Sequence, residues 1–468
     1  MALRAIGAAA LAVACVAQAA AVQSYERFVM IKAGKVITVS GEEITRGDII
    51  IEDGKISLVG IGLETPSGAR VIDARDQTVM PGIIVPRTRA DLTSYNRRGI
   101  RADLRTIDEI DFDDMDFEPM LEHGVTAIAV YPSGEAIPGA ASVVRTAGID
   151  RERVLRRAGY VRALMTSLDR GKKSLRDGFG KAQAELDKVE KAKEEWDAKQ
   201  KKAAEAEAKK EEKPADKGDD KPEGESDGKA SRDPESSRRP TPEPKPDESP
   251  EPEDGPGETE GEDKGDAKPE EFTPPEIDKT VKPLADMIEG RGPTLLVEVN
   301  GASGVLHTKD AVRKYEKVKP AFYAPGSFGI NYNNVVSTLG DAKARVLTTP
   351  VLSRLEFTSV RYNLPAELAA AGAQLSLTPA NTNEATLRRY RSRVAELVRS
   401  GLPREDALKA MTLNAARLIG VSDRVGSIEP ERSADLMFLD GDPLDPHARV
   451  TRVMIEGVTV WERDDAEG

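Results

Sequence analysis

The sequence is poor in the side chains that form disulfides or bind transition metals. Among its 468 residues it has one cysteine and three histidines. The cysteine, Cys15, lies in an apolar N-terminal segment that we expect to be absent from the mature protein. A mature chain without thiols excludes disulfide bonds and cysteine nucleophiles, and it leaves the redox compartment undetermined.

The first 21 residues have the pattern of a secretory signal peptide. Arg4 supplies positive charge, an apolar stretch runs from Ala5 to Val16, and residues 17–19 form an A-x-A cleavage site. The stretch is too short to cross a bilayer easily. We predict an exported protein, periplasmic or secreted, without a transmembrane span. Lipoprotein anchoring through Cys15 and a buried N-terminal helix are the less favoured alternatives.

Negative charge is concentrated in one tract, residues 213–271. The whole chain has a formal net charge of −13, which argues against a nucleic-acid partner. The tract holds 21 acidic and 10 basic residues, a net of −11 (10 − 21). It contains no Val, Ile, Leu, Met, Phe, Trp or Tyr, so it cannot bury enough apolar surface to offset chain entropy. We predict a charged helix and a disordered, acidic, proline-rich insert over residues 182–271.

Strand-like stretches occur at both ends of the chain, and strands alternate with helices between them. Asp53-Gly54 separates two apolar runs in DIIIEDGKISLVG, which is a strong hairpin signal. Buried-strand runs in the middle of the chain occupy residues 125–130, 294–299 and 345–348. Repeated strand–helix units imply a parallel sheet. The predicted class is α/β, with one β-domain assembled from residues 22–80 and 423–464.

Several motifs resemble, in their order along the chain, segments of the amidohydrolase superfamily, in particular its imidazolonepropionase-like branch. They are GKVITV, EDGKI, VIDARDQTVMPGII, HGVTAIAVYPSG, DALKAMTLNAARLIGV and RVGSIEPERSADLMFLDGDPL. The resemblance implies a (β/α)₈ TIM-type barrel, residues 81–181 and 272–422, with a composite β-sandwich built from both chain ends. It also implies a site at the carboxyl ends of the barrel strands.

The first barrel strand departs from the family at the residues that hold its metal. In the family this strand ends in His-x-His, whereas the matching positions here are Arg87 and Arg89. Residues two apart in a strand leave the same face. A guanidinium has no lone pair for a metal and stays protonated. We therefore predict that this site holds neither a metal nor another cofactor.

The other ligand positions of the family also carry different residue types. The fifth-strand histidine falls near Glu298 or Asn300, and the sixth-strand segment AFYAPG contains no histidine. The eighth-strand aspartate is expected within LSLTPANTNE, which offers Pro379, Ala380 and Asn381. The histidines stand elsewhere, at His123, His307 and His447.

Two functions remain open from the sequence. In the first, which we favour, the chain is a non-catalytic binding protein for a small anionic ligand or a protein partner. The predicted ligand-binding residues are Arg87, Arg89, Glu298 and Asn300. A variant of this hypothesis, of equal weight, makes the arginines an internal salt-bridge plug that binds nothing.

In the second, the chain is a hydrolase of non-peptide carbon–nitrogen bonds, such as those of cyclic amides. Glu298 is then the candidate general base of a metal-independent site. Whether the chain is an enzyme at all stays open at this point, and so does its oligomeric state.

Overall fold

The computed structural model describes residues 27–90, 92, 97–211, 271–326, 331–355 and 357–464. The predicted signal peptide, with Cys15, and residues 212–270 of the predicted insert lie outside the described residues. The chain divides into two compact units, Met1–Asp187 with Glu276–Gly468, and Lys188–Pro275. Among the described helices, none combines the length and apolarity that a bilayer-spanning segment needs.

The strands of the first unit fall into three groups along the chain. Those near the N-terminus are β1 (Phe28–Ile37), β2 (Glu43–Thr45), β3 (Asp48–Glu52), β4 (Lys55–Gly60) and β5 (Arg70–Pro81). Those in the middle are β6 (Ile83–Thr88), β7 (Val125–Val130), β8 (Gly139–Arg145), β9 (Val154–Met165), β10 (Thr294–Val299), β11 (Ala321–Tyr323), β12 (Arg345–Thr348), β13 (Ser353–Arg354), β14 (Arg361–Tyr362) and β15 (Gln374–Leu377). Those near the C-terminus are β16 (Leu436–Leu439), β17 (Val450–Ile455) and β18 (Val458–Glu462).

Helices connect the later strands. They are α1 (Glu118–Glu122), α2 (Asp150–Arg153), α3 (Leu168–Glu211), α4 (Lys282–Glu289), α5 (Ala302–Val312), α6 (Val336–Asp341), α7 (Leu364–Ala370), α8 (Glu384–Arg399), α9 (Arg404–Met411) and α10 (Leu413–Ile419). Short 3₁₀ helices cover Thr106–Asp108 and Tyr332–Val335.

The two chain ends of the first unit build one sheet. Its strands follow the order β18-β17-β16-β5-β1-β3-β4, with β2 paired to β1. Strand β5 is parallel to β1 and antiparallel to β16, so it joins the N-terminal strands to the C-terminal ones. The predicted hairpin at Asp53-Gly54 connects β3 to β4. The β-domain predicted from both termini is thus confirmed, with its strands joined in a single hydrogen-bonded sheet.

The middle strands form a nearly closed barrel in the order β15-β12-β11-β10-β9-β8-β7-β6. Neighbours are parallel except that β8 is antiparallel to both β7 and β9. The predicted barrel is confirmed, and the expectation of a parallel sheet is wrong at this one strand. Only residues 131–138 join β7 to β8. A parallel crossover needs a dozen or more residues, so this connection closes as a hairpin instead.

Helix α10 closes the amino-terminal end of the barrel. Its Ala415, Ala416, Leu418 and Ile419 share one apolar cluster with the inward-facing Ile84, Tyr160, Leu296 and Leu347. Two arginines at the start of barrel strands hold the helix in place. Arg156 Nη1 donates to the carbonyl of Gly420 at 2.6 Å, and Arg345 Nη1 donates to that of Arg417 at 3.4 Å. Side chains therefore fill the amino-terminal end of the barrel interior, and the carboxyl end is left for a site.

The predicted charged helix is longer than expected at its N-terminal side. It begins at Leu168 rather than near Lys181, because Leu175, Phe179 and Ala182 repeat at helical spacing and are buried in the main core cluster. Leu186 also packs against that cluster. The helix is apolar on one face up to this point. Beyond it apolar side chains are few, and one of them, Trp196, packs against Phe272 with ring centroids 5.8 Å apart.

A buried arginine joins the barrel to the sheet of chain ends. Arg145, the last residue of β8, is 1% exposed. Its Nε lies 3.1 Å from Oδ2 of Asp435, which is equally buried, and its Nη1 lies 2.7 Å from Oε1 of Glu456. Ser433 Oγ accepts a further hydrogen bond from Nη2 at 3.0 Å. Because removing one partner of a buried pair leaves an uncompensated charge, this contact is sensitive to mutation.

We predict that Asp435→Asn lowers the free energy of unfolding by about 3 kcal/mol, because Arg145 then stays buried with less negative charge around it. Equilibrium urea denaturation of the mature protein measures the change. The matched control is Glu462→Gln, whose ion pair with Arg452 is half exposed and is worth less than about 1 kcal/mol. Equal losses in the two variants would contradict the assignment.

Candidate binding site at the barrel mouth

The carboxyl ends of the barrel strands carry a layer of charged and aromatic side chains. Strand alternation places Glu298 inward on β10, two residues after Leu296, and Arg162 inward on β9, two residues after Tyr160. We call this layer the mouth; its members are Arg87, Tyr131, Arg162, Glu298 and Tyr323.

Arg87 enters the mouth through an irregularity in β6. The pairing of β6 with β7 shifts register between Val85 and Thr88. Pro86 lies at this point, and proline has no N–H for the ladder. The shift lets Arg87 reach across the barrel to Glu298, while Thr88 Oγ1 contacts Thr382 Oγ1 at 2.9 Å.

Two arginines share the carboxylate of Glu298. Arg87 donates to Oε1 from Nε at 2.9 Å and from Nη2 at 2.7 Å. Arg162 donates from Nε to Oε1 at 3.0 Å and from Nη2 to Oε2 at 2.8 Å, which is a bidentate pair. The side chains of Arg87, Glu298 and Arg162 are only 13%, 11% and 8% exposed. Two positive charges and one negative charge leave this nearly buried cluster with an excess of one positive charge.

The pKa of Glu298 reflects the same contacts. Burial alone would raise the pKa of this carboxyl, but hydrogen bonds from Arg162 and the charges of both arginines lower it below its ordinary value. Burial disfavours the charged form of Arg87. The pKa of Arg87 is nevertheless raised above its ordinary value, chiefly by the negative charge of Glu298. Arg87 and Glu298 therefore stay ionised at neutral pH.

Tyrosine rings surround the Arg87 guanidinium on both sides. Its Cζ lies 4.1 Å from the ring centroids of Tyr131 and Tyr323. The Cζ of Arg162 lies 4.8 Å from the Tyr131 ring. Cation–π attraction of this kind grows when the cation is desolvated. The rings thus stabilise the charge that Glu298 leaves uncompensated.

The other predicted site residues lie at the edge of the mouth. Arg89 stands beyond the last residue of β6, so strand alternation no longer fixes its direction. Its Nη1 donates to Ser133 Oγ at 3.2 Å, and its Nη2 donates to the carbonyl of Leu92 at 2.7 Å. Asn300 is exposed just after β10. The structure thus brings Arg87 and Glu298 into contact and gives Arg89 different partners.

The side chains at the mouth do not suit a divalent cation. A guanidinium offers no lone pair to a metal, and the oxygens of Glu298 already accept four hydrogen bonds from arginine. Among the described residues, no three His, Cys, Asp or Glu side chains are grouped as a metal site would require.

The histidines lie away from the mouth. His123 follows α1, His307 is in α5 with Nδ1 3.3 Å from Lys172 Nζ, and His447 is exposed beside Asp445. Among the described residues, none of these imidazoles belongs to a group that could hold a metal ion.

Sequence reasoning missed Arg162 and the tyrosines. Arg162 lies in YVRALM, where a single charge interrupts an apolar run with the period of a strand. That interruption is the signal that could have identified an inward-facing cation, because the neighbouring Val161 and Ala163 pack outward in the main core cluster. Its partner could not have been identified, since Glu298 is 136 positions away in the chain.

Comparison with known proteins supports the family resemblance in two ways. Residues 368–460, which run from α7 to β18, match the model of the amidohydrolase family. The crystal structure of an amidohydrolase from Thermotoga maritima MSB8 superimposes with a TM-score of 0.66, at 20% identity, over 93% of this chain and 100% of that one. The resemblance to amidohydrolases predicted from the motifs is thereby confirmed, at the level of the fold for the whole chain.

Two curated proteins match short segments at higher identity. One is a 5'-deoxyadenosine deaminase from Methanosarcina mazei, 37% identical over 79 residues, which are 16% of this chain and 18% of that protein. The other is a D-hydantoinase from Geobacillus stearothermophilus, 43% identical over 63 residues, which are 14% of this chain and 13% of that protein. The chain thus aligns with less than a fifth of the length of either relative.

We predict that Glu298→Gln lowers the free energy of unfolding by about 3 kcal/mol at pH 7, because two buried arginines lose their carboxylate. The pKa of Glu298 is lower in the folded state, so its contribution is complete above the ordinary value of 4.5 and is lost as the pH falls below it. The difference between wild type and variant should therefore shrink in acid. Urea denaturation at pH 7 and pH 4 measures it.

Glu64→Gln serves as the control, because Glu64 is exposed and such changes cost less than about 0.5 kcal/mol. A difference between wild type and Glu298→Gln that is constant with pH would show that the carboxylate is not ionised in the folded protein.

Proposed function

Since this chain resembles amidohydrolases in its fold and in its C-terminal family match, we propose that it is an exported, non-catalytic member of that fold group that binds a small anionic ligand at the barrel mouth. The observation that carries the proposal is the excess positive charge at Glu298, where two guanidiniums share one carboxylate. An anion added at the mouth would compensate the charge that Glu298 leaves over.

Arg89 and its neighbours provide the polar contacts for such a ligand. The Arg89 guanidinium lies at the rim of the mouth, with Ser133 Oγ at 3.2 Å. Thr88 and Thr382 place two more hydroxyl groups nearby, 2.9 Å from each other. Guanidiniums and hydroxyls together donate hydrogen bonds well to a carboxylate or phosphate. Asn300 remains a candidate contact on the exposed side of β10.

The same contacts argue against Glu298 as a general base. A good base keeps a pKa near the working pH and a free lone pair aimed at the substrate. Glu298 has a lowered pKa, and its two oxygens accept four hydrogen bonds from arginine. Arg87 and Arg162 would have to move before this carboxylate could accept a proton.

We predict that a small carboxylate or inorganic phosphate binds the mature protein and that Arg89→Gln weakens the binding at least tenfold, because a charge-assisted hydrogen bond contributes about 1.5–3 kcal/mol. Isothermal titration calorimetry with acetate, succinate, benzoate and phosphate measures the affinity. The control is Arg399→Gln, an exposed cation at the end of α8.

Three results would contradict this proposal. Absence of binding by every anion in the panel would favour the internal salt-bridge plug, in which the arginines serve only Glu298. Binding that Arg399→Gln weakens as much as Arg89→Gln would indicate general attraction to surface charge. Capture of a protein partner without any anion binding would favour the other form of the binding hypothesis.

A second function is favoured by the short matches to proteins named as a 5'-deoxyadenosine deaminase and a D-hydantoinase. In this alternative the chain hydrolyses cyclic amides or deaminates a ring with an acid–base set that includes Glu298. Turnover of hydantoin, a lactam or 5'-deoxyadenosine, abolished by Glu298→Gln in a folded protein, would establish it. Elemental analysis of the same samples tests for bound metal. A stoichiometric amount of metal would overturn the assignment of the mouth as metal-free.

We further propose that the N-terminal segment directs export. The expected result is a mature chain that begins within a few residues of Ala19, found by N-terminal sequencing of the protein from the extracytoplasmic fraction. A full-length chain retained with the cytoplasmic fraction would contradict it, and a lipid-modified Cys15 would favour anchoring.

A further inference from the structure

A cleft of about 820 Å³ opens at the amino-terminal end of the barrel, opposite the mouth. It lies where the connections into β10, β11 and β12 meet, and it is lined by Thr294, Pro320 and Arg345 at the starts of these strands. Pockets of about 300–1,000 Å³ are typical of small-molecule sites. The cleft shares no residue with the mouth.

The floor of the cleft is apolar. It is lined by Met287, Leu295, Val312, Val318, Phe322 and Leu339. Each of these side chains belongs to the main core cluster. Leu295 and Phe322 stand on barrel strands, and the others stand on the covering helices or in the loop before β11. Such a floor favours a ligand with an apolar part.

The rim of the cleft is strongly basic. Its cations are Lys309, Arg313, Lys317, Lys319, Lys343 and Arg345, and its acids are Glu316 and Asp341. The local excess is four positive charges (6 − 2), in a chain whose net charge is −13. Within the described residues, none of the six cations lies in an ion pair with a carboxylate. A concave surface of one charge raises the local concentration of the opposite ion.

Arg345 connects the rim to the floor. It is half-buried, and its Nη1 donates to Thr294 Oγ1 at 2.9 Å and to the carbonyl of Arg417 at 3.4 Å. Burial lowers the pKa of this guanidinium. Both hydrogen bonds that Arg345 donates to the described residues come from Nη1. Its Nε and Nη2 are therefore left for a further acceptor. A half-buried cation whose hydrogen-bond partners are neutral is a strong partner for an incoming anion.

We propose that this cleft binds an anionic organic molecule with an apolar part, such as a medium-chain carboxylate, whose acid group meets Arg345 and whose chain covers the apolar floor. Lys319 and the other rim cations attract the ligand and stay in water around its charge. The site differs from the mouth in position, in lining and in its need for an apolar moiety.

The test is isothermal titration calorimetry of the mature, full-length protein with octanoate. Two probes separate the parts of the ligand: octanamide keeps the chain without the charge, and acetate keeps the charge without the chain. Saturable binding of octanoate, at least tenfold tighter than either probe, is the expected result. Equal affinity for octanoate and octanamide, or for octanoate and acetate, would overturn the proposal.

Variants locate the binding. Arg345→Gln and Lys319→Glu should each weaken octanoate binding at least tenfold, and Arg399→Gln should leave it within twofold of wild type. Lys319 is exposed, so its charge reversal keeps the test valid if Arg345→Gln does not fold. Unchanged affinity in Lys319→Glu, or a loss in Arg89→Gln instead, would place octanoate elsewhere and overturn the assignment. The mouth and the cleft are tested by substitutions at different residues. Loss of binding at one site is therefore distinguishable from loss of binding at the other.

Discussion

The carboxylate of Glu298, held between the guanidiniums of Arg87 and Arg162, is the contact on which the barrel mouth depends. A single ionised group at this depth would cost several kcal/mol in lost hydration, and each arginine is tolerated only because the carboxylate is there. The tyrosine rings then help to stabilise the positive charge that one carboxylate cannot compensate. An apolar layer of the same volume would often be at least as stable. The ionic cluster is therefore weak evidence for stability, and it is the feature on which the proposed ligand binding at the mouth rests.

Much of the architecture was predictable because the signals are local. The Asp53-Gly54 turn, the apolar strand runs and the ordered family motifs each depend on short stretches of sequence, and the structure places them in the sheet of chain ends and in the barrel. Arg87 was predictable as a mouth residue because the motif around Pro81-Gly82 aligns it with a ligand position of the family. Glu298 was one of two residues considered near the fifth-strand ligand position, and its contact with Arg87 comes from the structure.

The rest depends on contacts that sequence spacing does not reveal. Arg162 joins the cluster because β8 turns back along β7 and places β9 beside β10, and a strand direction is decided by connection length and packing rather than by composition. Helix α3 starts earlier than its charge pattern indicates, because Leu175 and Phe179 find a core to pack against. The direction of Arg89 is set by the chain beyond the end of β6.

The two ends of the barrel differ in how they hold positive charge. At the mouth, the arginines are desolvated and hydrogen-bonded to a carboxylate, so the geometry of these short contacts determines their interaction energy. At the cleft, most cations are in water around an apolar floor, so long-range attraction and salt dependence dominate. The packed interior, with α10 beneath it, separates the two regions.

Strand β5 lies between β1 and β16, and this arrangement has a consequence during biosynthesis. One edge of β5 stays unpaired until β16, about 350 positions later, has been translated. At about 5–20 residues per second the ribosome needs roughly 20–70 s to reach it. An open strand edge is a template for pairing with other chains. The nascent protein must therefore be kept from aggregating until its final strands emerge, so its yield in a cell should depend on chaperones more than its finished stability would suggest.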